Sequence, residues 1–198
     1  MIHQTVRAEA ADAEWIADLI GAAFLHLPVT AWLVPDPAER ARIMPRNFQI
    51  LVEYALEHGE VDTTTDRGGA ALWLPRGATE LPPPADYDRR VAQVCGDAAP
   101  RFHELDALFE KNHPDAGPHH HLALLGVRGD RQGQGIGSAL LNHHHAELDR
   151  TGVPGYLEAS STGSRDLYAR HGYQLLGEPY AAPNGALFWP MWREPATV

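Results

Sequence analysis

The sequence predicts an α/β fold, a mixed central sheet of about six to seven strands flanked by helices. Three observations predict it. Short apolar segments of strand length alternate with segments of helical period along most of the chain. One of the strands, Leu122–Val127, runs straight into a glycine-rich turn and then into an apolar helix. Two hairpin signals, Asp66-Arg67-Gly68-Gly69 and Asn184-Gly185, add antiparallel neighbours, so the sheet is mixed and not purely parallel.

The elements follow in chain order. Thr5-Val6-Arg7 is a short strand. Asp12 is the expected N-cap of the first helix, in which Trp15, Ile16, Leu19, Ile20, Ala23 and Phe24 repeat on one core-facing side. His26-Leu27-Pro28 ends that helix. Pro37 suits the first turn of the next, which runs from about Ala38 to Glu57, with Pro45 as a kink point and Gly59 as its stop. Glu60–Thr65 and Ala70–Leu74 form a hairpin ended by Pro75. Leu81-Pro82-Pro83-Pro84 is a stiff connector. Asp86 to about His113 is helical with a break near Gly96 to Pro100. After the loop Pro114–Pro118 comes the central strand, expected to be buried on both faces because it lacks polar alternation. A helix from Ile136 to about Arg150 follows and is stopped by Thr151-Gly152-Val153-Pro154. Gly155–Ser160 is a strand, Ser164–His171 a short helix, and Tyr173–Leu176 and Ala186–Trp192 are the last two strands, with the Asn184-Gly185 turn between them.

Length and composition narrow the function classes. With 198 residues the chain fits a single domain, 1–198, with a sizeable core. It holds no apolar run of about 18 residues, and its N-terminus has no apolar signal-peptide core, so a cytoplasmic protein is expected. The single Cys95 rules out an intrachain disulfide and reads as a small buried apolar residue. A net charge of −10 argues against a nucleic-acid or anionic-membrane partner. It does not exclude a phosphate ligand held by local backbone amides, with Arg128 and Arg131 flanking the loop as extra positive charge.

The chemistry lies in the turn after the central strand, where Gly133, Gly135 and Gly137 stand at alternate positions. Glycines turn the backbone tightly and leave nothing between its N–H groups and a ligand. The first N–H groups of a helix have no intrahelical partner, and the helix dipole makes that end positive. Such a loop is a site for phosphate or pyrophosphate. The dinucleotide fingerprint fails because Ser138 stands where its last glycine belongs, and no Gly-Lys-Ser/Thr follows for a P-loop.

What does match is Gln132-x-x-Gly135-x-Gly137. It resembles the acetyl-CoA signature, Q/R-x-x-G-x-G/A, of the GCN5-related N-acetyltransferase (GNAT) superfamily. Leu157-Glu158-Ala159-Ser160 followed by Leu167-Tyr168-Ala169-Arg170-His171-Gly172-Tyr173 resembles the family's "LEAS…LYERxGF" segment, and the order of elements is that of the GNAT fold. Ala71-Leu72-Trp73-Leu74-Pro75 and the Leu157–Ser160 strand look most like the puromycin N-acetyltransferase group. That group usually has Asn four residues before the tyrosine, where this chain has Ser164.

The resemblance implies an acetyl-CoA-binding core at 119–177, in which Gln132, Gly133, Gln134, Gly135, Ile136, Gly137 and Ser138 hold the pyrophosphate. Leu125, Gly126 and Val127 would pair with the pantetheine arm, and Ser164 would support it. It also implies the reaction: an amine attacks the thioester and a thiolate leaves. Backbone N–H groups near Leu125 or Val127 would steady the oxyanion. Tyr168 is the candidate general acid, since a phenol near pKa ~10 stays protonated beside a thiolate whose conjugate acid is ~8.5. Glu158, in a buried strand and expected to have a raised pKa, is the candidate base. His119 and His121 remain alternatives, with water as a relay, although each also reads as a solvated strand end.

The acceptor is expected on the other side of the sheet, under the Phe24–Pro37 region and the Asp86–Leu108 segment. Phe24, Trp32 and His119 are candidate contacts there, against simple packing, together with His26, Tyr87 and His103. Twelve histidines raise the question of a metal, but six stand in the runs His119–His121 and His143–His145, where neighbours point apart. No metal is expected. The reading is therefore a small-molecule N-acetyltransferase, monomer or homodimer, acting on a primary amine of an antibiotic or metabolite. A protein lysine or N-terminal acetyltransferase and a non-catalytic CoA-sensing module are the alternatives.

Overall fold

The computed structural model describes residues 3–77 and 81–196. The chain runs β1 (Thr5–Arg7), α1 (Ala13–Phe24), α2 (Pro28–Leu33), α3 (Pro37–His58), β2 (Glu60–Thr64) and β3 (Gly69–Arg76). It continues through α4 (Tyr87–Cys95), α5 (Ala99–Asn112), β4 (His119–Val127), α6 (Ile136–Thr151) and β5 (Gly155–Ala159). It closes with α7 (Thr162–Arg170), β6 (Gln174–Leu175), β7 (Tyr180–Ala181) and β8 (Leu187–Arg193). One mixed sheet runs β1-β2-β3-β4-β5-β8-β6, with β7 on β8. Among the described residues β4 and β5 form the one parallel pair.

Helices cover both faces. α1, α3 and α5 bury Ile16, Ile20, Met44, Ile50 and Phe102 against one face, together with Leu72 and Leu124. α6 and α7 bury Ile136, Leu140, Leu141 and Tyr168 against the other, with Trp73 and Leu157. α1 and α3 pack closely because Gly21 has no side chain: a Cβ there would lie 2.7 Å from Pro45 Cγ. Pro45 therefore sits inside α3 at the contact with α1. Pro37 opens α3, and Asp36 Oδ1 accepts the Glu39 N–H at 2.8 Å as its cap. No described helix is long and apolar enough to cross a membrane. Cys95 is buried.

Several local expectations change. Asp12 stands at the N-cap position of α1 but makes no side-chain cap hydrogen bond to it; a 3-10 turn at Ala10–Asp12 precedes the helix, and the Asp12 carboxylate takes the Glu9 N–H and Trp15 Nε1–H instead. Pro28 ends nothing by itself; it starts α2, whose Thr30 Oγ1 donates back to Phe24 O at 2.8 Å and Leu27 O at 2.9 Å. β3 runs through Pro75 to Arg76. β2 pairs β3 only as far as Trp73, and beyond it a residue without an N–H is tolerated at the open edge. The Asn184-Gly185 turn joins β7 to β8, β7 being a strand the sequence did not signal.

The central strand is not evenly buried. Leu122, Leu124 and Gly126 are buried while Ala123, Leu125 and Val127 are half-buried. Two irregularities explain this. Trp73 pairs with Leu122 and Leu72 with Leu124, so Ala123 is an extra residue, a β-bulge. On the other side β4 pairs with β5 only at His120↔Gly155 and His121↔Tyr156; past that point the two strands separate.

Candidate functional site

The gap between β4 and β5 opens a cavity of about 1160 Å³ that passes from the start of α6 to the helices on the far face. Its backbone has a consequence for ligands. Arg128 N–H donates to Gly68 O on the β3 side at 2.9 Å, and His120 N–H to Pro154 O on the β5 side at 2.9 Å. Strand N–H groups alternate sides, and the bulge at Ala123 shifts that alternation by one. The N–H groups of Leu125 and Val127 therefore face the gap, where β5 no longer reaches them. Leu125, Gly126 and Val127 line the cavity.

The glycine loop stands at the same opening. Gly133 (φ +75°) and Gly135 (φ +86°) adopt the left-handed conformation, and a Cβ on either would meet nothing within 4 Å. Gln132, Gly133, Gly135, Ile136, Gly137 and Ser138 line the cavity; Gln134 does not. The flanking arginines are not free charges. Arg128 pairs with Asp130, and Arg131 Nη2 donates to Asp66 Oδ2 at 2.7 Å. Thr64 and Arg131 together hold the Asp66 carboxyl down to about 2. This pair fastens the loop to the β2–β3 turn.

α7 forms the third wall. Its N-cap Ser161 takes the Ser164 N–H at 3.1 Å, and Ser164 Oγ turns back on Ser161 O at 3.0 Å. Ser164 lines the cavity, but its hydroxyl is engaged in the cap. Tyr168 is buried in this wall, edge-on to Tyr173 at 5.9 Å, and also lines the cavity. Burial raises its phenol well above the ordinary range, so it carries its proton at any physiological pH.

Across the gap stands a polar cluster. His121 Nε2 lies 2.9 Å from Glu158 Oε2, and Tyr156 Oη donates to Glu158 Oε1 at 2.7 Å. Burial pushes the Glu158 carboxyl up, but the neighbouring His121 charge and the two hydrogen bonds outweigh it, and the net shift is downward. The expected raised pKa is thus reversed, because the partners of the buried carboxylate stabilise its charge. With Nε2 donating, a neutral His121 presents Nδ1 as a lone-pair acceptor, and Nδ1 is buried with no hydrogen bond among the described residues.

His119 is buried and is not a solvated strand end; its Nδ1 donates to Gly117 O at 2.8 Å and its Nε2 lies 3.0 Å from His113 Nε2. His113 lines the cavity, held neutral chiefly by burial, which depresses its pKa to about 3. His113, His121 and Glu158 offer ligand atoms within 4.8 Å of one another, a cluster that the histidine runs in the sequence do not announce. His119 itself does not line the cavity, nor does Trp32, which packs against the core beside α2. Phe24 does, against Phe48 at 5.3 Å, as do His26 and Tyr87; His103 does not.

Comparison with known proteins places the fold. Residues 91–175 match the family model described as acetyltransferase (GNAT) domain. The solved structure of histone acetyltransferase HPA2 and related acetyltransferase from Corynebacterium glutamicum is 28% identical, with a TM-score of 0.70 over 100% of this chain and 99% of that one. Its fold is that of the GNAT acetyltransferases. The same GNAT fold relates it to an agmatine N-acetyltransferase (16% identity, TM-score 0.64, 96% and 98% covered). It also relates it to the polyamine N-acetyltransferase of Drosophila melanogaster (15% identity, TM-score 0.62, 96% and 99% covered).

Proposed function

We propose that this chain is an N-acetyltransferase that moves the acetyl group of acetyl-CoA to a primary amine of a small molecule, with both reactants bound together. The observation that carries this is the separation of β4 from β5 beside the glycine loop: one cavity offers open backbone amides for a phosphate-bearing arm and a far chamber for a second molecule. The similarity to enzymes named for agmatine and polyamines supports an amine acceptor.

Acetyl-CoA supplies an activated acyl thioester when bound. The N–H groups of residues 133–138 would hold its pyrophosphate, and those of Leu125 and Val127 its pantetheine arm. Holding the two reactants in line across the gap supplies much of the rate. Glu158 has both oxygens committed, one to His121 and one to Tyr156, so it serves as a positioning residue. It orients the His121 ring at the cavity wall, and the His121–Glu158 pair is the group that takes the amine proton, directly or through one water. Tyr168 holds a proton in the opposite wall for the leaving thiolate.

Calorimetry with acetyl-CoA and thiol release with an amine panel test the reading. The parent binds acetyl-CoA; Gly135→Asp, which places an anion at the phosphate site, abolishes binding, whereas Gly135→Asn, neutral and tolerant of positive φ, retains part of it. Equal affinity in parent and Gly135→Asp contradicts the loop assignment.

A further inference from the structure

The acceptor end of the cavity has a chemistry of its own, and from it we propose that the acceptor is a bulky, largely apolar amine carrying one positive charge, not a linear polyamine; the inference rests on the acetyl-transfer reading above. Away from the glycine loop the lining is apolar and aromatic. Phe24 and Phe48 meet edge-on at 5.3 Å, and Phe109 and Phe188 at 4.9 Å. Leu51 and Leu105 fill the wall between, and Pro82-Pro83-Pro84 closes it as a stiff edge, fixed by Tyr54 Oη donating to Pro82 O at 2.8 Å.

A polyamine would bring several ammonium groups into this chamber, and each buried cation needs a carboxylate partner. The carboxyl groups on the lining are Asp106, Glu110 and Glu158. Glu158 is already held by His121 and Tyr156. Asp106 is half-buried, takes the Tyr87 hydroxyl at 2.7 Å, and is driven toward its neutral form chiefly by burial. Glu110 is exposed on α5, at the rim. Arg76 stands on the same lining and repels further positive charge. The lining thus leaves no free carboxylate for a second cation: the reacting amine meets the His121–Glu158 pair, which takes its proton, and an apolar body fits the chamber beyond it. The α4–α5 segment, which follows the proline edge, supplies Leu105, Asp106 and Phe109 and sets this preference.

The test compares 2-phenylethylamine and tryptamine with agmatine and spermidine, by calorimetric binding to the protein saturated with coenzyme A and by thiol release from acetyl-CoA. The arylalkylamines are expected to bind at least about tenfold more tightly and to be turned over preferentially. Agmatine or spermidine binding equally well or better overturns the proposal, as does failure of both arylalkylamines to bind. If the arylalkylamines bind but release no thiol, the acceptor class stands and the acetyl-transfer reading falls. Phe109→Ala should weaken tryptamine about tenfold and leave coenzyme A affinity unchanged; unchanged tryptamine affinity would remove the amine from this chamber.

Discussion

His120 and His121 are neighbours on β4, and they point to opposite faces of the sheet into two clusters of the same chemical make-up. His121 meets Glu158, Tyr156 and His113 on the cavity side. His120 Nδ1 lies 3.0 Å from His144 Nε2; the His144 ring stacks on Trp73 at 4.1 Å, and its Nδ1 lies 3.3 Å from Asp62. Asp62 is fully buried, with Arg7 Nη1 at 3.2 Å. Each cluster has histidines, a buried carboxylate and an aromatic ring. Only the first opens on the cavity: His113, His121 and Glu158 line it, and His120, His144 and Asp62 do not. The comparison teaches that buried titratable groups become a candidate site through access to a cavity, not through composition.

The largest expected effects test that distinction. His121→Ala and Tyr168→Phe should each lower turnover about 10²-fold or more, the scale of losing a general base or acid, with little change in acetyl-CoA affinity. Glu158→Gln should lower turnover less, because the amide no longer accepts from His121 as the carboxylate does and the ring is less firmly oriented. Asp62→Asn and His144→Gln should leave turnover within about twofold while changing the melting temperature, as for burial without catalysis. Comparable turnover losses on both faces would erase the distinction.

Much of the fold was legible in the sequence because periodicity and turn chemistry write it locally. The strand, glycine loop and helix at 122–150 announce themselves, and the positive φ of Gly133 and Gly135 is why glycines stand there. α2 was not legible, since Pro28 reads equally as the end of one helix and the start of another. The separation of β4 from β5 follows from no local pattern in either strand, and the bulge residue on the β3 side, Ala123, has no distinctive side chain. His113 comes from the end of α5, His121 from β4 and Glu158 from β5, and no local pattern links them. Trp32 looked like a pocket wall, yet an aromatic residue on an amphipathic helix carries no mark that separates packing from contact.

A smaller effect sharpens the comparison through pH. His145, on the α6 side, is held to about 3 chiefly by burial and sits 3.1 Å from Tyr173 Oη. Its unfolded value is ~6.5, so between those two values the unfolded chain binds more protons. Stability should fall as pH drops through that window, by up to about 1.4 kcal/mol per unit for this group, and it should be unaffected by this group above it. His145→Gln keeps a partner for Tyr173 and should flatten the acid slope of melting temperature against pH, with His113 still contributing. An unchanged slope would mean that His145 titrates normally.

The central claim is that the backbone exposed where β4 leaves β5, together with the glycine loop, receives acetyl-CoA. Amide NMR during an acetyl-CoA titration tests it most directly. The account predicts that the N–H signals of Leu125, Val127 and residues 133–138 shift together with a single affinity, while those of β6 stay in place. Binding that leaves Leu125 and Val127 unmoved would contradict it.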